Sequence, residues 1–158
     1  EIYGVQADLK LKPTRADTLS FSVSYNHARN KDFITPAGDN YNGLSPAYAA
    51  DWTVSAEYSR DFDIGSHGYL RAQADARFES AFYADFIHNL GMRQQPYVKA
   101  NASLTYFANN ERWNLGAWIK NITNEPVIAA TAFAGIPGPG TAYLEAPRTY
   151  GVRLGFNF

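Results

Sequence analysis

Cysteine is absent from all 158 positions. A disulfide scaffold and thiolate metal sites are therefore excluded, while the redox character of the compartment stays open. Long apolar runs are missing too: no stretch approaches the ~18 residues that a helix needs to cross a bilayer. Charge is sparse, at 18% of residues, where a soluble domain carries about a quarter. Its balance of −1, with pI about 6.3, creates no broad basic field for nucleic acid. The three histidines, His27, His67 and His88, are scattered over different connections and strand ends. No His-x-x-x-His pair or carboxylate cluster at ligand spacing accompanies them, so no metal or other cofactor is expected. Catalysis is not expected either: Ser24 and His27 are near in sequence but fall on opposite faces of an extended strand. The chain opens on Glu1-Ile-Tyr, with no Met, n-region or cleavage site. That suits either a removed signal or a chain that begins inside a longer protein.

Aromatic residues are plentiful, at 15%, with 11 Tyr and 10 Phe, yet mean hydropathy is negative, at −0.35. Large apolar area combined with uncharged polarity is what a lipid-facing, water-lined β-barrel requires. Strict alternation recurs along the chain, and period 2 specifies a strand with one apolar and one polar face. Val5, Ala7, Leu9 and Leu11 oppose Gln6, Asp8, Lys10 and Lys12; Leu19, Phe21, Val23 and Tyr25 oppose Ser20, Ser22, Ser24 and Asn26. Trp52, Val54, Ala56 and Tyr58 oppose Asp51, Thr53, Ser55, Glu57 and Ser59. Leu70, Ala72, Ala74, Ala76 and Phe78 oppose Arg71, Gln73, Asp75, Arg77 and Glu79. Val98 to Tyr106 and Trp113 to Ile119 repeat the pattern. The last strand sets Tyr150, Val152, Leu154, Phe156 and Phe158 against Gly151, Arg153, Gly155 and Asn157.

The fold class expected is all-β: an antiparallel transmembrane β-barrel segment of about seven strands. Ten residues at ~3.3 Å rise and ~40° tilt climb roughly 25 Å, the height of an outer-membrane apolar band. The connections 13–17, 29–48, 63–67, 83–95, 109–111 and 124–147 alternate short and long, as periplasmic turns and outer loops do. Aromatics fall at both rims: Trp52 and Phe82 at the outer one, Tyr58, Phe62, Tyr106, Trp113 and Phe158 at the inner one. An odd number of strands cannot close as an antiparallel barrel, and open edges in lipid leave amides unsatisfied. The missing strands are therefore expected on another segment or chain. A hidden eighth strand in 124–147 is disfavoured by Gly135-Ile-Pro-Gly-Pro-Gly140.

Two segments are more specific than generic alternation. Asn114-Leu-Gly-Ala-Trp-Ile-Lys-Asn-Ile-Thr-Asn-Glu-Pro126 resembles the penultimate-strand box of TonB-dependent outer-membrane receptors. Ala146-Pro-Arg-Thr-Tyr-Gly-Val-Arg-Leu-Gly-Phe-Asn-Phe158 resembles their C-terminal box. The resemblance implies a 22-stranded barrel in the bacterial cell outer membrane, of which residues 1–158 form the C-terminal part. It implies a plug domain and N-terminal strands elsewhere, outer-membrane lipid around the wall, and indirect action of the TonB system. It also implies that Tyr150, Val152, Leu154, Phe156 and Phe158 form the signal read by the barrel-assembly machinery. Energised uptake of a scarce solute, of iron chelate, vitamin or carbohydrate type, is the implied function. A structural or passive-pore barrel is the alternative. A soluble β-sandwich would instead place Val54, Ala74 and Leu104 against a second sheet.

Binding residues concentrate on loops held by rigid scaffolds. The outer-loop candidates for ligand contact are Phe33, Asn40, Tyr41, Asn42, Tyr83, His88, Arg93, Phe133 and Tyr143. Arg71, Asp75, Arg77 and Glu79 share one polar face and are candidates for lining the lumen and meeting the plug; a solvated wall of cross-strand ion pairs is the plainer alternative. Asn121-Ile-Thr123 matches a glycosylation sequon, but lies within the penultimate-strand box.

Overall fold

The computed structural model describes residues 1–110, 112–132 and 140–157. Its strands in chain order are β1 (Ile2–Leu11), β2 (Asp17–Ala28), β3 (Trp52–Asp63), β4 (Gly68–Glu79), β5 (Phe82–Tyr83) and β6 (Arg93–Gln94). They continue with β7 (Tyr97–Ala108), β8 (Trp113–Lys120), β9 (Ile128–Ala132), β10 (Thr141–Leu144) and β11 (Thr149–Phe156). Seven of them form one sheet in the order β1-β2-β3-β4-β7-β8-β11. Every pairing in it is antiparallel. The sheet is open: among the described residues, neither the outer edge of β1 nor that of β11 has a strand partner.

Register turns the sequence alternation into continuous bands. Leu11, Leu19, Tyr58, Ala74, Ala102, Ile119 and Tyr150 stand side by side across all seven strands. One residue away, Lys10, Ser20, Glu57, Asp75 and Asn101 form a polar row on the opposite face. A slip of one residue would exchange the two faces, so the pattern fixes the register. Among the described residues no second sheet covers Val54, Ala74 or Leu104, and Leu104 is 46% exposed. Sandwich packing is therefore not what the apolar face is for.

The enclosed core lies beyond the sheet, at the end where the long connections cluster. Phe82, Ala84, Met92, Tyr97 and Val127 are buried together, with Ala50 and Ile128 packed against them. Phe82 is thus a core residue and not part of the outer aromatic girdle, because the β5–β6 ribbon folds it inward onto Val127. Connections 83–95 and 124–147 each contain ordered ribbon: β5 pairs with β6, and β9 with β10. Neither ribbon joins the main sheet. The Ile128 amide donates to Gln94 Oε1 at 3.0 Å, the Thr131 hydroxyl to Ala84 O at 3.2 Å, and the Tyr48 amide to Tyr83 O at 2.8 Å. Three long connections are stitched into one cap. Burying each large apolar side chain there contributes ~1.5–3 kcal/mol.

The opposite end has tight turns. In the β3–β4 turn, Gly65 and Gly68 have φ of +63° and +112°. A Cβ at Gly68 would lie 2.0 Å from the Phe107 carbonyl oxygen, backbone that cannot step aside. Gly38, also at positive φ, has no atom within 4 Å of that position. Gly68→Ala is expected to destabilise the assembled barrel by ~2 kcal/mol or more, and Gly38→Ala by ~1 kcal/mol. Urea midpoints in detergent micelles check the ranking; equal shifts would contradict it.

Candidate functional site

The polar face carries an ordered set of charges. Arg71 on β4 grips Asp61 on β3 through two bonds, Nε to Oδ1 and Nη2 to Oδ2, both 2.7 Å. Its guanidinium also lies 5.5 Å from the Tyr69 ring and 5.6 Å from that of Phe107, which stack on each other. Arg71 is thereby fixed as a wall element. Asp75 accepts from Asn101 Nδ2 at 2.7 Å. Arg77 pairs with Glu79, whose other oxygen accepts the Tyr97 hydroxyl at 2.8 Å. Lys99, directly opposite Arg77, pairs with Glu145. Asp51, which the sequence places beside this row, instead binds Arg29 through both carboxylate oxygens at 3.2 Å. Such part-exposed pairs each contribute ~0–1 kcal/mol; their consequence is geometric, since they hold long side chains at set positions.

Short side chains leave room between these charges. Ser20, Ser22 and Ser55 floor an open trough of about 710 Å³, walled by Asp8, Lys10, Glu57, Asp75 and Arg77. A second hollow of about 480 Å³ lies nearer the cap, between Tyr48, Arg77, Glu79, Lys99 and Glu145. The four lumen candidates therefore share a face but not a site. Asp75, Arg77 and Glu79 border these hollows, while Arg71 lies toward the tight-turn end, held by Asp61.

The outer-loop candidates separate into groups. Phe33 and Tyr41 meet Phe86 in a three-ring cluster with centroid separations of 5.4, 5.6 and 5.7 Å. Tyr83 and His88 stack at 4.0 Å, nearly parallel at 7°. Asn40 and Asn42 are used by their own loop: Asn40 Oδ1 accepts from the Asn42 amide at 2.9 Å, and Asn42 Oδ1 from that of Phe33 at 2.7 Å. Arg93 donates to Gln95 at 3.2 Å, and Tyr143 is exposed on β10, both apart from the aromatic cluster. Phe133 and Phe158 lie outside the described residues. Tyr150, Val152, Leu154 and Phe156 project from one face of β11, all exposed.

Ser45 was invisible to pattern reasoning, because a serine in a long loop has no periodic signal. Its carbonyl lies 3.0 Å and its hydroxyl 3.1 Å from His88 Nε2. The carbonyl can only accept, so a hydrogen bond to it requires the tautomer with the proton on Nε2. Asp85 is 2% exposed; its Oδ1 accepts the Asn89 amide at 3.1 Å, and Oδ2 has no partner among the described residues. The described residues contain no group of three His, Cys, Asp or Glu able to hold a metal ion. Outside the spanning strands, the hydrogen bond from the Lys31 ammonium, aided by its charge, holds the Glu1 carboxyl below the ordinary carboxylate range.

The Lys120-to-Asn124 segment has a clear physical role. Asn121 and Asn124 adopt left-handed backbone, with φ of +51° and +55°, a region that Asn tolerates better than most residues. Asn121 is 2% exposed. Its Oδ1 accepts the Glu125 amide at 3.0 Å and its Nδ2 donates to Glu125 O at 3.0 Å. Asn124 Oδ1 accepts the Arg148 amide at 3.0 Å, tying the penultimate segment to the terminal one. Burial and full hydrogen bonding exclude Asn121 as a glycan acceptor.

No family model matches the sequence, and no curated protein matches it. Among solved structures, the ferric yersiniabactin uptake receptor FyuA from Yersinia pestis is similar, with TM-score 0.82 and 18% identity over 99% of this chain and 23% of that one. BauA, the ferric preacinetobactin receptor from Acinetobacter baumannii, gives TM-score 0.75 and 17% identity over 99% of this chain and 22% of that one. The chain spans less than a quarter of either receptor's length. The likeness establishes the fold: an open antiparallel segment of a transmembrane β-barrel.

Asn121→Ala should cost ~2 kcal/mol, because the part-buried Glu125 amide and carbonyl lose their partners at ~1 kcal/mol each. Asn121→Asp keeps the acceptor, restores the Glu125 amide bond only, and should fall between. Thermal unfolding of the assembled barrel in detergent measures both; a neutral Asn121→Ala would contradict the role assigned to this residue.

Proposed function

We propose that the chain is the C-terminal barrel wall of a TonB-dependent outer-membrane receptor that takes up a scarce solute, best an iron chelate. The observation behind this reading is the fit of 99% of the chain onto a ferric-chelate receptor combined with a sheet open at both edges. The wall supplies two surfaces. Its polar face, with the serine-floored trough and Asp75, Arg77 and Glu79 beside it, faces the lumen, and Arg71 braces the same face lower down. A plug domain carried elsewhere packs there and is moved indirectly by the TonB system. Its outer cap presents Phe33, Tyr41, Tyr83 and His88 around the mouth, where aromatic faces suit a flat, conjugated chelate. Asn40, Asn42, Arg93 and Tyr143, with Phe133, flank that mouth.

Assembly follows from the same geometry. N-terminal strands pair with the free edges of β1 and β11, lipid covers the apolar bands, and the barrel-assembly machinery reads Tyr150, Val152, Leu154, Phe156 and Phe158. The whole lies in the bacterial cell outer membrane.

Replacing Phe33 and Tyr41 together by Ala should weaken ferric-chelate binding to cells about tenfold, which corresponds to ~1.4 kcal/mol. Radiolabelled-iron binding and uptake in iron-starved cells make the measurement. Uptake that survives collapse of the inner-membrane proton gradient would favour a passive pore and contradict energised transport.

A further inference from the structure

The apolar face is uncharged at almost every position. Among the outward positions of the seven strands, formal charge occurs at Asp17 on β2 and Arg60 on β3, and these two are direct cross-strand partners. They lie at the tight-turn end, in the band where Tyr58, Phe62, Tyr106 and Trp113 mark the edge of the apolar zone. A charge facing lipid at mid-depth is strongly destabilising, but near the interface the cost falls almost to nothing. The position is affordable, and the two members are satisfied unequally.

Asp17 is saturated. It is 5% exposed and accepts from the Thr14 hydroxyl, from the Tyr58 hydroxyl at 2.7 Å and from Arg60 Nη1 at 3.4 Å. Arg60 is not. Its side chain is 46% exposed, and the long bond to Asp17 is its one hydrogen bond among the described residues. Its guanidinium lies 5.1 Å from the Phe62 ring centroid, and most of its five donors have no protein acceptor. Lys12 and Arg15, in the turn leading to Asp17, are exposed and form no ion pair among the described residues. Asp61 and Asp63 do not offset them, because strand alternation turns both to the polar face, where Asp61 is held by Arg71 and Asp63 by the Gly65 amide. Beside Arg60 on β4, Ala72 and Ala74 leave the apolar surface low.

We propose that Arg60 anchors the phosphodiester of a periplasmic-leaflet glycerophospholipid, whose acyl chain lies over Ala72 and Ala74. A phosphate oxygen pair matches the free edge of a guanidinium bidentately. Lys12 and Arg15 add charge complementarity, while the Asp17 carboxylate, occupied by Thr14 and Tyr58, competes only weakly for the guanidinium. Short turns face the periplasm in outer-membrane barrels, so the leaflet follows from the topology. This inference rests on the outer-membrane reading above.

The test uses the assembled barrel, purified in mild detergent, delipidated, and titrated with phosphatidylglycerol under native mass spectrometry. Wild type is expected to retain one tightly held lipid. Arg60→Gln should lose it by about tenfold in affinity, Arg153→Gln on the polar face should keep it, and Asp17→Asn should bind several-fold tighter by releasing the guanidinium. Equal retention by wild type and Arg60→Gln, or weaker binding by Asp17→Asn, would overturn the site. Displacement by inorganic phosphate alone would overturn the lipid assignment. If Arg60→Gln assembles in bilayers yet binds as wild type does, only this site falls; if the protein is a soluble monomer without detergent, the outer-membrane reading falls with it.

Discussion

In hydrocarbon a backbone amide has no water to bond, and each one left unpaired costs several kcal/mol. For a barrel wall, that constraint dictates how the sheet is paired. The five inner strands of the sheet are paired on both sides, and β1 and β11 on one side. The remaining edges are rows of donors and acceptors that only further strands can satisfy in a bilayer. On the proposed barrel-wall reading, the stability of the chain belongs to the closed barrel, and the contacts within it hold the register that closure needs.

Two devices supply that register. Alternation carries an apolar band across all seven strands and a polar row on the other face, so that slippage would expose Lys10, Glu57 and Asp75 to lipid. At the long-loop end, the Phe82–Val127 core and the Asn121 and Asn124 bonds clamp the connections to one another. The cap is thus held together by its own contacts. Aromatic residues such as Phe33 and Tyr41 are held in ring-to-ring contact; on the proposed reading, that lowers the entropy lost on binding. The polar face is charged but internally paired, through Arg71–Asp61, Arg77–Glu79 and Lys99–Glu145.

The sheet was legible in the sequence because period 2 is a local signal and each strand repeats it over eight to twelve residues. Strand number, faces and the short-long rhythm of connections came from that alone. The cap was not legible. The β5–β6 ribbon has two residues per strand, and its pairing with 126–131 depends on contacts more than thirty positions apart. Phe82 accordingly looked like a girdle aromatic when it is core. Asn40 and Asn42 carry no periodic signal, so that their oxygens close their own turn was not legible either. Arg60 escaped notice for a related reason: the alternation of β3 seemed to end at Ser59, and only the register brings Arg60 opposite Asp17. The Lys120-to-Asn124 and Pro147-to-Gly151 segments were recognisable as a pair, and the Asn124–Arg148 bond supplies the physical reason they occur together.

The natural absence of cysteine makes one measurement decisive. Single cysteines placed in turn along 70–78 of the assembled barrel can be probed by a water-soluble thiol reagent and, once labelled with a fluorophore, by quenching from brominated lipid. A wall wetted on one face and lipid-covered on the other requires alternation: 71, 73, 75 and 77 react from water, while 70, 72, 74 and 76 are quenched from lipid. Uniform protection from both probes along the whole strand would contradict the account.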